Sequence, residues 1–157
     1  MQRFLNLCEE IEQTVAAVYR HWESVFADDV SLSSLWGKLA DDELDHVRQV
    51  QLAKRVALEN VFSQNAVTVG SLQKALAKAK NLLAEVKQRD ISAPAALRAA
   101  IRIEEEFSKA HLLNATQVND KSMQAMFESL AREDEQHVAT LRNYCESVLG
   151  KASDQST

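Results

Sequence analysis

Apolar residues return at alternating intervals of three and four along four long stretches of the chain, the spacing of a helix that buries one stripe. The first stripe runs through Leu5, Cys8, Val15, Tyr19, Trp22 and Phe26, and the second through Trp36, Leu39, Val50, Ala53 and Ala57. The third holds Leu97, Ala100 and Phe107; the fourth holds Phe127, Leu130, Leu141, Tyr144 and Val148. These patterns predict helices from about Arg3 to Phe26, Leu32 to Phe62, Ser92 to Val118, and from the short connection "NDKS" to Val148. Asp28, Asp29 and Ser31 are turn and cap candidates before the second helix, and Pro94 suits the first turn of the third. Between the second and third, "SQNAVTVGS" breaks the pattern before a further amphipathic stretch from Leu72 to Arg89, with Leu72, Leu76, Ala79, Leu83 and Val86 on one side. Two short connections and one long one imply two antiparallel hairpins joined by a crossover. The predicted architecture is an all-α four-helix bundle whose crossover contains an additional helix.

Each stripe is interrupted once by an acid: Glu12, Glu43, Glu104 and Asp134 occupy positions where the period demands an apolar residue. In the second and fourth helices a histidine, His46 or His137, follows the acid by three residues. The halves repeat, because nearly the same interval separates Glu12 from Glu43 as separates Glu104 from Asp134. Residues at i and i+3 share a helix face, so each acid and its histidine can aim at one point. Four uncompensated carboxylates in a dry core would cost several kcal/mol each, and crowding them adds like-charge repulsion. No lysine or arginine falls on the stripes near the acids, whereas two divalent cations would balance the four charges with neutral imidazoles completing the shells. The candidate metal ligands are therefore Glu12, Glu43, His46, Glu104, Asp134 and His137.

Register selects Glu104 from the run Glu104 to Glu106, since a stripe through Glu105 would include Arg98 and Arg102. Glu133, off the stripe, is the fallback for Asp134. Tyr19 and His111, each two turns beyond an acid, are candidates for a supporting role around the ligands. His21 falls off the stripe and is expected to face solvent.

Composition narrows the remaining choices. The chain has 157 residues, three glycines and one proline, and a formal net charge of −5 with scattered basic residues. It has the length of one domain, expected at 1–150 with a polar, disordered tail at 151–157. The charge argues against nucleic acid as a partner. No stretch approaches the roughly 18 apolar residues of a membrane span, and the first residues contain no signal-like apolar run, so a cytoplasmic location is expected. Cys8 and Cys145 stand far apart and are expected as reduced thiols.

The segments "EQTVAAVYR", "LADDELDH", "ALRAAIRIEEEFSKAH" and "LAREDEQH" together resemble the ligand helices of the ferritin-like superfamily, and within it the rubrerythrin-like di-iron proteins. The resemblance spans nearly all of Leu5 to Val148. It implies a ferritin-like bundle holding two iron ions, with manganese or zinc as substitutes, and an oxidoreductase that reduces peroxide or O2. A homodimer is expected. The rubredoxin-type module that accompanies many rubrerythrins is absent, so a separate electron donor protein is expected. In that family the acid of the last ligand helix is typically glutamate, where this chain has Asp134. Two other functions fit the same ligands: ferroxidase and iron storage or delivery, or a structural bundle with a vestigial site.

Overall fold

A computed structural model of the chain describes residues 2–56 and 66–154, with the side chains of 66–68 and 148–154 left out. Ala57 and the expected end of the second helix near Phe62 lie outside the described residues, as does the side chain of Val148. Five helices make up the described chain, with no strand among its residues: α1 Gln2–Val25, α2 Val30–Val56, α3 Ala66–Gln88, α4 Ala93–Gln117 and α5 Lys121–Asp154. The ends follow local chemistry. Asp29 accepts the Leu32 amide at 3.0 Å and caps α2, and Asp120 accepts the Met123 amide at 2.9 Å and caps α5, each satisfying a backbone donor that the first turn leaves free. Ser92 occupies the cap position of α4 in extended conformation, with Pro94 just inside the helix.

Two boundaries differ from the periodicity. α3 begins at Ala66, so most of the stretch expected to interrupt the pattern is helical; Gly70 lies within it with open space around it. A glycine costs about 1 kcal/mol in a helix interior, and the burial of Leu72, Leu76, Ala79 and Val86 offsets that cost. α5 continues to Asp154, beyond the expected end at Val148.

α1 packs along α2 and α4 along α5, forming two antiparallel hairpins, while α3 lies on α1 and α2 meets α5 across the bundle. The core contains the apolar stripes in the register read from the sequence, including Leu5, Val15, Trp22, Trp36, Leu39, Val50, Leu97, Phe127, Leu130 and Leu141. Tyr19, Trp22 and Trp36 form one wholly buried aromatic group with ring centroids 4.8 to 5.9 Å apart. Phe4 and Phe127 meet edge to face at 5.8 Å.

Leu130 has no exposed surface, whereas Leu113 is about half exposed. Leu130→Ala should cost about 2–5 kcal/mol in urea unfolding through lost burial and a cavity, and Leu113→Ala no more than about 0.5 kcal/mol. Equal costs would contradict this placement of the core.

Candidate metal centre

The stripe register that buries the apolar residues carries the polar ones inward with them. Glu12, Glu43, His46, Glu104, His111, Asp134 and His137 are all buried, none more than 7% exposed. Glu105 and Glu106 face outward to Arg142 and Lys78. Donor atoms of Glu43, Glu104, Asp134 and His137 lie within 4.8 Å of one another, and those of Glu12, Glu43 and His46 form a second such set. Glu43 belongs to both. The arrangement can hold a metal ion.

Apart from the indole nitrogens of Trp22 and Trp36, the buried side-chain polar atoms left without a partner among the described residues lie in this cluster. Glu12 Oε2, Glu43 Oε1 and His46 Nδ1 are buried without a hydrogen-bond partner. Around His46 Nδ1 stand Glu43 Oε2 at 3.3 Å, Glu12 Oε2 at 3.6 Å and Asp134 Oδ1 at 3.9 Å. An unsatisfied buried polar atom is costly, and more so when charged. A cation between these atoms would satisfy Glu12 Oε2 and His46 Nδ1, while Glu43 Oε1 faces His137 Nδ1 at 3.5 Å.

The outer nitrogens of the two histidines point the other way. His46 Nε2 donates to Glu133 Oε2 at 3.0 Å, and His137 Nε2 lies 3.3 Å from Asp42 Oδ2. Each histidine therefore leans on the acid that immediately precedes the candidate ligand of the opposite helix, which fixes its ring and leaves Nδ1 aimed at the cluster. The side chains of Asp42 and Glu133 are 34% and 35% exposed, so the face shared by α2 and α5 is where the cluster comes nearest to solvent. Sequence reading assigned Asp42 no role and treated Glu133 as a substitute ligand. The available signal was an acid directly before Glu43 and another directly before Asp134.

Across the other pair of helices, the Tyr19 hydroxyl donates to Glu104 Oε1. His111 spans two acids, with Nε2 3.0 Å from Glu12 Oε1 and Nδ1 2.8 Å from Asp134 Oδ2. It belongs to neither donor set. Phe127 stacks against His111 at 6.2 Å, and the Tyr19, Trp22 and Trp36 group packs beside Glu104, so apolar rings border the cluster on two sides. His21 departs from its expected exposure: it is partly buried and donates through Nε2 to the Val86 carbonyl at 2.8 Å. Packing of α3 on α1, which a single-helix pattern does not show, brings that acceptor within reach.

Without a cation, protons must reconcile the charges. Burial, reinforced by Glu104, pushes Glu43 up to about 8, and burial pushes Asp134 up to about 6. Burial disfavours the charged imidazoles too, but the surrounding acids outweigh it: Glu104 and Glu43 raise His137 to about 10, and Glu12 and Asp134 raise His111 to about 10. His46 rises as well. Burial opposes ionisation of Glu12, yet His111 and His46 hold it below the usual carboxylate range.

Comparison with known proteins returns no match: no family model, no curated protein and no solved structure. Among the described residues no helix is long and apolar enough to cross a membrane, and both cysteines are free.

Two outcomes follow for metal binding. Burial raises Glu43 and the neighbouring acids raise His137, so the cluster holds protons at neutral pH that an incoming cation must displace. Zinc affinity in competition titrations should therefore rise as pH rises from 6 to 8; a pH-independent affinity would contradict the cluster's electrostatics. Asp42→Asn and Glu133→Gln, which weaken the acceptors behind His137 and His46, should each lower zinc affinity roughly 10- to 100-fold. Unchanged affinity in both would remove the supporting role assigned to these acids.

Proposed function

We propose that the chain is a non-haem di-iron carboxylate protein, an oxidoreductase that reduces peroxide or O2 at a dinuclear centre. The observation that carries the reading is the pair of buried donor sets joined through Glu43, with Glu12 Oε2, Glu43 Oε1 and His46 Nδ1 left without hydrogen-bond partners. Glu12, Glu43, His46, Glu104, Asp134 and His137 would hold the ions. Mixed oxygen and imidazole donors suit iron or manganese, with zinc able to compete on affinity. The resemblance of the four ligand segments to rubrerythrin-like proteins supports the same assignment.

Two Fe(II) ions held by these residues would each give up one electron, together reducing hydrogen peroxide to two waters with uptake of two protons, chemistry outside the range of ordinary side chains. The chain's own part is placement and exclusion. Glu133 and Asp42 fix the two histidine rings, Tyr19 holds one oxygen of Glu104, and the rings of Tyr19, Trp22, Trp36 and Phe127 keep bulk water from two sides of the cluster. Electrons for a second turnover come from a separate donor protein in this reading.

Protein loaded anaerobically with two equivalents of Fe(II) should develop near-ultraviolet ferric absorption on addition of peroxide, with one peroxide consumed per two irons. A full iron complement that peroxide and O2 leave unchanged would overturn the redox reading in favour of iron handling. The double variant Glu43→Ala and His46→Ala should lose stoichiometric iron. Retention of two irons per chain would refute the ligand assignment.

A further inference from the structure

The two halves of the cluster repeat each other acid for acid and histidine for histidine at every position but one. Glu12 corresponds to Glu104, Glu43 to Asp134, His46 to His137, and the supporting acid Asp42 to Glu133. The remaining pair is Tyr19 and His111, each seven residues beyond its acid and each bonded to the acid of the opposite half. Tyr19 donates one hydrogen bond, to Glu104 alone. His111 contacts two acids, engaging Glu12 Oε1 and Asp134 Oδ2 together.

We infer that His111 makes the two metal positions unequal, by tying back one oxygen of Glu12 and one of Asp134 so that only Glu43 joins the positions. This rests on the dinuclear reading above. With Oδ2 held by His111, Asp134 keeps Oδ1 for a cation, and that oxygen lies 3.9 Å from His46 Nδ1, farther than the Glu43 and Glu12 oxygens at 3.3 and 3.6 Å. Asp134 accordingly joins the His137 set and is absent from the His46 set. Glu12 likewise keeps Oε2, which has no hydrogen-bond partner. One position then offers Glu43, Glu104, Asp134 and His137, and the other only Glu12, Glu43 and His46. The four-donor position fills first. The three-donor position fills second, binds more weakly, and is the one open to a small exogenous ligand.

The test is a titration of the full-length, metal-free protein with Co(II) alone, followed by visible absorption. Two binding steps separated at least about 10-fold are expected, since loss of an outer contact or donor shifts metal affinity by roughly 10- to 100-fold. Glu104→Ala should abolish the tighter step and Glu12→Ala the weaker one. Azide should alter the spectrum only once the second equivalent is bound; a response at the first equivalent would overturn the proposal. His111→Phe keeps a ring against Phe127 but loses both contacts, and His111→Tyr keeps a single donor as at Tyr19. Both variants, checked for folding by thermal melts, should draw the two steps together by about 10-fold or more; should the first fail to fold, the second decides alone. Separation unchanged in the folded variants, or equal affinities in the unaltered protein, would overturn the role of His111 while leaving the dinuclear reading intact. No binding of Co(II) at all would defeat that reading as well.

Discussion

Charged carboxylates inside an apolar bundle need a counterweight, and this molecule's interior is organised around supplying one. Glu12, Glu43, Glu104 and Asp134 sit in the same layer of the core, each with about 1% or less of its surface exposed. Coulombic repulsion at such separations is far stronger than in water. Among the described residues no lysine or arginine pairs with these acids; Lys54 pairs with Glu9, Arg142 with Glu105 and Lys78 with Glu106. The relief must come from the imidazoles, from bound protons or from cations, and the aromatic packing on two sides confines it to the cluster.

The constraint also explains how the two hairpins are held in register. Within each hairpin, apolar packing and ordinary capping would tolerate some sliding. Between hairpins, besides the Asn114 amide on the Cys8 sulfur, hydrogen bonds and close polar contacts meet at the cluster: Tyr19 with Glu104 and His111 with Glu12 across one pair of helices, His46 with Glu133 and His137 near Asp42 across the other. Each such bond has a partner near its symmetry-related position. A shift of one helix by a turn would break several together and leave buried acids without donors, an outcome costlier than any loss of apolar contact that the shift would cause.

Much of this could be read from the chain because helical period and burial are linked. The interruption of an apolar stripe by Glu12, Glu43, Glu104 and Asp134 is visible in one dimension, and so is the choice of Glu104 over its two neighbours, since register alone turns Glu105 and Glu106 outward. Contacts that depend on the approach of different helices were less legible. Asp42 stands next to Glu43 on the helical wheel's outer side and looks like any solvated acid until α5 is placed beside it. His21 finds a carbonyl only because α3 docks on α1, and α3 itself extends to Ala66 because its packed half supports weak helix formers that look like a break when read alone. His111 could be placed in the core from its spacing, but its bond to two acids at once required the positions of three helices.

The chain's only two tryptophans, Trp22 and Trp36, are packed together against Tyr19, and Tyr19 bonds to Glu104. All of the indole fluorescence of the protein therefore originates at one end of one cluster. Emission becomes a local reporter of events at Glu104 as well as of unfolding, without any added label.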